Sequence, residues 1–263
     1  MAFGLVPLEK RLKENISFDE TPHFVLSADD RCPFLNKTGL CDIYKELGEE
    51  NLCNICKDHP RFRNFFNDRC ELGLGLCCEA AAKLILSQKE PFSLVTEDGT
   101  EKVNKGERKA FFEERQRVFD IISDDKRAVS EKLGHLNDIA QSKSSQKSFD
   151  EWICDYLSLE VLDEKWKELL LSLKGKQPGD IKDIYNKETE NLLNYFVFRH
   201  LKEEDFSLRL GFCLHCTDMI MNIFSLSEEK TFEKLCDIAR MFSSEIEYSE
   251  ENTDEIMFLL DIL

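Results

Sequence analysis

Eleven cysteines punctuate this chain of 263 residues, and seven of them, Cys32, Cys41, Cys53, Cys56, Cys70, Cys77 and Cys78, crowd its first third. A lone buried thiol behaves as a small apolar side chain. Clustered thiols constrain a fold much more, because thiolates bind metals, pair as disulfides or carry redox chemistry. A disulfide framework suits a small secreted domain. This chain is not small, and its first residues, MAFGLVPLEKRLKEN, are broken by Pro7, Glu9 and Lys10, a poor pattern for a secretory signal. A metal or iron–sulfur centre is therefore the expectation for the cluster, and the cytoplasm for the location.

The spacing sharpens this reading. Eight residues separate Cys32 from Cys41, eleven separate Cys41 from Cys53, and Cys53-x-x-Cys56 closes the set. A C-x-x-C turn can aim two thiolates at one centre, and four thiolates satisfy a tetrahedral zinc or an iron–sulfur cluster. Of the adjacent pair Cys77 and Cys78, one is expected as a further ligand and the other as packing. A thioredoxin-like redox pair would need a βαβ setting around Cys53 and Cys56, which the pattern lacks. CLHC at 213–216 is a second C-x-x-C, but it lies in an apolar helical run, so Cys213 and Cys216 read as core and His215 as a partly exposed neighbour. Cys154 and Cys236 also read as core thiols.

The rest of the chain is helical in its punctuation, and the expected class is mainly α. Residues 1–95 read as a cysteine-rich module of loops and short helices with a candidate short hairpin, and residues 96–263 as an all-helical body. DIYKELGEENLCNIC and CCEAAAKLILSQKE read as short helices. HPRFRNFFNDRCELGLG reads as irregular chain with one short strand, and PFSLVTEDGT as an edge strand or hairpin arm. Gly73 and Gly75 give backbone relief where the chain turns into a helix whose start carries Cys77. QSKSSQKS is the candidate linker, and Ser148 with Glu151 forms a capping-box pattern for the helix that follows. Asp180 is placed to cap the helix through IYNKETENLLNYFVFRHLKEE, and further helices follow to the end of the chain.

Charge excludes some functions. A formal net charge of −17 is opposite to the basic footprint a nucleic-acid binder needs. No segment approaches the ~20 apolar residues of a membrane span. From Ser227 to Leu263 there are eleven Asp and Glu against three Lys and Arg, a face that could receive a lysine-bearing partner or simply water. ELGLGLCCEA has a G-x-G without the third glycine or strand–helix alternation of a dinucleotide site. The C-x-x-x-C-x-x-C triad of radical enzymes that cleave S-adenosylmethionine is absent from the sequence.

CPFLNKTGLCDIYKELGEENLCNIC, then HPR, then ELGLGLCCEAAAKLIL resembles the N-terminal region of the flagellin lysine-N-methylase family. ENLLNYFVFRHL and SSEIEYSEEN resemble that family's later landmarks, in the same order. The resemblance implies a cytoplasmic enzyme that uses S-adenosyl-L-methionine to methylate lysines of flagellin and carries a Cys-ligated 4Fe–4S cluster, with Cys32, Cys41, Cys53, Cys56 and Cys77 matching the family's cysteines. The family usually carries a further cysteine-rich segment upstream, whereas the first cysteine here is Cys32. Methyl transfer needs a neutral amine, and a lysine has an unperturbed pKa near ~10.4, so the site must desolvate it or supply a base. The candidate catalytic groups are Tyr195, Arg199 and His200 in one landmark and Glu245, Glu247 and Tyr248 in the other. The rival reading is a zinc-stabilised protein-binding module without catalysis; an electron-transfer protein would leave the helical body without a purpose.

Overall fold

The structure, a computed structural model, describes residues 8–19, 22–27, 31–66, 69–95, 108–142 and 144–262. It is mainly α, with the strands confined to two small hairpins among the described residues. The chain divides into two compact units, 1–59 and 60–263.

The smaller unit strings short elements around very little core. Helix α1 (Leu8–Glu14) leads into the two-residue strands β1 (Ile16–Ser17) and β2 (His23–Phe24), which pair antiparallel. α2 (Asp42–Leu47) and α3 (Asn54–Asp58) follow. DIYKELGEENLCNIC is thus not one helix. Gly48, at φ +88°, ends α2, in a conformation that side chains resist. A single 3₁₀ turn at Glu49–Asn51 then leads to α3. Cys41 caps α2 and Cys53 caps α3. Leu8, Phe34 and Ile43 form the buried core, with Cys32 and Cys41 packed against it.

The larger unit opens on a hairpin, β3 (Arg61–Phe65) against β4 (Cys70–Leu74), with Arg61 opposite Leu74 and Phe65 opposite Cys70. The stretch expected as mostly irregular is therefore a paired ribbon. Gly73 lies within β4, and α4 (Glu79–Leu86) starts after Cys78, its N-cap, so that Cys77 precedes the helix instead of opening it. α4 packs on the C-terminal helices, which is why the units divide at His59 and Pro60 and not at the sequence-based boundary of 95. Residues 91–95 form no strand, and 96–100, the rest of the proposed hairpin arm, lie outside the described residues.

The helices that follow are α5 (Lys109–Ile122), α6 (Val129–Ala140), α7 (Phe149–Tyr156), α8 (Glu164–Leu173), α9 (Asn186–His200), α10 (Phe206–Leu226), α11 (Phe232–Ile246) and α12 (Glu250–Asp261). The Ser148–Glu151 capping box at α7 forms as the sequence indicates. Asp180 does not cap α9, which begins at Asn186; its carboxylate accepts from the Lys182 amide at 3.3 Å. α10 is central and buried all round, packing on α6, α9, α11 and α12. That surrounds Cys213 and Cys216, as expected, and also His215, which has no exposed face to occupy. Cys236 is buried, whereas Cys154 lies on the outer face of α7 and is exposed.

Candidate functional site

α9 turns one polar strip toward the C-terminal end of α11. Tyr195 and Arg199 are four residues apart, so they share a helix face, and Arg199 Nη1 donates to Tyr195 Oη at 2.7 Å. Glu247 follows the last residue of α11, and its side chain is fully buried. It accepts from Tyr195 Oη at 2.9 Å and from His200 Nε2 at 2.6 Å, and it forms an ion pair with Arg199, whose Nε lies 3.2 Å away. Tyr195 Oη in turn accepts the Leu76 amide at 3.2 Å. Two helix ends and the loop after β4 thus meet at one carboxylate.

Gly75 makes the meeting possible. Its amide donates to Pro60 O at 2.6 Å. A Cβ there would stand 2.5 Å from Tyr248 Oη and 3.1 Å from Arg199 Nη1, so only glycine admits both. Tyr248, 46% exposed, hydrogen-bonds Cys77. Burial first, and the bond with Cys77 next, push the Tyr248 phenol up to about 12.

The electrostatics give each group a state. Burial alone would raise the Glu247 carboxyl, but the Arg199 guanidinium and the His200 hydrogen bond outweigh it, and the group lies below its usual range. Glu247 is therefore an anion. Burial lowers His200 below its ordinary value despite Glu247, so its ring is neutral at pH 7. With Nε2–H directed at the carboxylate, the lone pair falls on Nδ1, which makes no hydrogen bond among the described residues. Burial also raises Tyr195 well above a normal phenol, so it remains protonated and donates to Glu247. The arrangement is a carboxylate–imidazole pair in a fixed tautomer, braced by an arginine and a tyrosine.

A stretch of the chain is similar to the flagellar biosynthetic protein FliU of Salmonella muenchen. The match runs over 68 residues at 29% identity, 26% of this chain and 40% of that protein. The chain thus spans about two-fifths of that relative's length. No protein-family profile and no solved structure matches. No described helix is long and apolar enough to cross a membrane.

Of the candidates, Tyr195, Arg199, His200, Glu247 and Tyr248 come together, and Glu245 does not. Two residues earlier on a 3.6-residue turn, Glu245 points elsewhere. It is buried and accepts from the Leu162 amide at 2.9 Å, tying the segment before α8 to α11. Burial raises its carboxyl. Cys77 belongs to the larger unit and sits with Tyr248; burial raises its thiol, with the Tyr248 bond and the Arg199 charge pulling the other way.

Cys32, Cys41, Cys53 and Cys56 all belong to the smaller unit. Cys53 Sγ and Cys56 Sγ lie 3.3 Å apart. Burial first, then the neighbouring thiols Cys53, Cys32 and Cys41, push Cys56 up to about 12. Such crowding disfavours several thiolates together unless a cation is present, and in kind the donor set fits a thiolate-held centre. No group of three or more His, Cys, Asp or Glu among the described residues is arranged to hold a metal ion.

The sequence marks Gly75 only as backbone relief; its closeness to Tyr248 and Arg199, and the bond from the Leu76 amide to Tyr195, come from the structure. Asn191 and Asn194 stand three apart in NLLNYFVF, an otherwise apolar run where an amide needs a reason.

Proposed function

We propose that the chain is an S-adenosyl-L-methionine-dependent protein lysine N-methyltransferase whose substrate is flagellin, with Cys32, Cys41, Cys53 and Cys56 holding an iron–sulfur cluster. The observation that carries the reading is the convergence of Tyr195, Arg199 and His200 with Glu247, which joins two of the segments that resemble flagellin lysine-N-methylases. The partial match to a flagellar biosynthetic protein supports the flagellar setting.

In the reaction the methyl group passes from the donor's sulfonium to the lysine Nε. The carbon–sulfur bond breaks as the carbon–nitrogen bond forms, and the donor leaves as a thioether. The chain must take up the amine's proton. His200 Nδ1 is the acceptor, Glu247 fixes the ring and stabilises the imidazolium, and Arg199 and Tyr195 hold Glu247 in place. A bound cluster would supply rigidity to a unit with little core of its own.

The test is methyl transfer by protein purified without oxygen, with flagellin as substrate and lysine methylation read by mass spectrometry. Wild-type protein is expected to be brown, to contain iron and acid-labile sulfide, and to methylate flagellin. His200→Gln and Glu247→Gln should each lower the rate about 10²–10⁴-fold, the range for loss of a general base. A colourless protein with one zinc and no transfer would overturn the proposal in favour of a zinc-stabilised binding module.

A further inference from the structure

Beside the polar network, α9 borders a cavity of about 500 Å³, within the range of small-molecule sites. Its other walls are β3, β4, the end of α4 and the loop that follows. Three aromatic rings meet there, Phe62 and Phe92 flanking Phe198 at centroid separations of 5.8 and 5.9 Å. Such rings favour a flat guest that stacks.

The polar groups of the wall narrow the guest further. Asn191 is committed, its Nδ2 donating to Leu86 O at 3.1 Å and to Gln88 O at 2.9 Å, which fixes the loop after α4. Asn194 is not. It is 5% exposed, it lines the cavity, and its Oδ1 has no hydrogen-bond partner. Native proteins rarely bury an unpaired polar atom without use for it. An amide offers an acceptor and a donor side by side, the pattern that pairs with the amino group and a ring nitrogen of adenine. The lining holds no lysine or arginine, and its single charged residue is Glu90, so a phosphate is unwelcome. Such a lining suits a nucleoside better than a nucleotide. Tyr195 lines this cavity and also bonds Glu247, linking the cavity to the proton-accepting network.

We propose that the cavity bounded by Phe62, Phe92, Phe198 and Asn194 receives the adenosine portion of the methyl donor, with the Asn194 amide pairing to the adenine edge. The proposal rests on the methyltransferase reading for the donor's identity and on the cavity alone for its nucleoside half.

Titration calorimetry on the full chain, purified without oxygen, tests it with S-adenosylhomocysteine, adenosine and adenosine monophosphate. Adenosine and S-adenosylhomocysteine should bind, and the monophosphate at least tenfold more weakly than adenosine. Asn194→Leu, which keeps the shape of the side chain, should weaken both ligands at least tenfold without lowering the melting temperature, because it removes an unpaired buried oxygen. Leu84→Trp at the 56% exposed rim should block the cavity without disturbing the core, and gives the same answer should the first variant fold poorly. Wild-type protein that transfers methyl groups while neither variant changes its S-adenosylhomocysteine affinity would overturn the site and leave the enzyme reading intact. Nucleoside binding that both variants abolish, in a protein that methylates no lysine, would keep the site and overturn the lysine reaction. Failure to bind either nucleoside ligand would overturn the site.

Discussion

His215 and His200 are both buried imidazoles, and their neighbours give them different work. His200 has Glu247 at 2.6 Å, which fixes its tautomer. His215, in the middle of α10, has Tyr156 Oη at 3.1 Å from Nε2 and the Trp152 ring at 4.1 Å between centroids. Burial lowers His215 to about 4, with the Asp218 charge pulling weakly upward and Lys147 downward. In the unfolded chain the same ring titrates near ~6.5. Above that pH both states are neutral and the group contributes nothing to the pH dependence. Below it the unfolded state takes the proton and the folded state does not, so stability falls by about 1.4 kcal/mol per pH unit until the folded value near pH 4 is reached. Between pH 7 and pH 5 the wild-type protein should therefore lose about 2 kcal/mol more than His215→Gln, measured by urea unfolding at the two values. Equal losses would show that the ring is hydrated in the folded state. The sequence could not reveal this burial, because a histidine in CLHC looks like a polar interruption until α10 proves to be covered on every side. The split between Glu245 and Glu247 was equally hidden. Both lie in the same acidic stretch, and only the rotation of α11 against α9 decides which one meets Arg199.

At the scale of elements, the β3–β4 hairpin is tied to α5 by a buried ion pair. Arg115 donates to both carboxylate oxygens of Glu71, at 2.8 and 2.5 Å, with both side chains almost out of solvent. The guanidinium also lies 5.1 Å from the centre of the Phe112 ring and 5.4 Å from that of Phe111. Removing one partner strands the other's charge in the core, so Arg115→Met should cost about 3–5 kcal/mol, whereas adding Glu71→Leu should recover most of the loss. Additive losses in a denaturant-based double-mutant cycle would mean that the pair does not act as a unit. The sequence shows one short strand in this stretch and not its pairing into the ribbon. Its tie to α5 comes from a partner 44 residues away, and Gly73 within CELGL weakens the local strand signal. Signals contained in a few residues were legible, as with Ser148 and Glu151 at the start of α7. The start of α9 was not, because Tyr185 at its N-cap makes no side-chain cap bond, so tertiary burial of residues 189–197 sets its extent. The polar landmarks on α9 and α11 were each readable, but their meeting depends on packing between helices that the sequence alone does not pair.

At the scale of the molecule, the two units are unequally able to fold. The larger surrounds α10 with a continuous core, whereas among the described residues the smaller has a buried core of Leu8, Phe34 and Ile43. Domains with so little apolar burial generally need a disulfide, a metal or a partner to offset chain entropy. If the thiols of the smaller unit hold the proposed cluster, its binding free energy is also the folding free energy of that unit. Cys53→Ser with Cys56→Ser, or chelation of the purified protein, should then unfold the smaller unit alone. Hydrogen exchange resolved by peptide provides the measurement. Amides of α2 and α3 should lose their protection and exchange at rates close to those of unfolded chain, while those of α9, α10 and α11 stay protected, because their core contains none of the four thiols. The His200–Glu247 network lies wholly in the larger unit, so its hydrogen bonds should survive the loss. Undiminished protection of α2 and α3 after metal removal would mean that the small core suffices, and the thiols would then need a role other than holding the unit together.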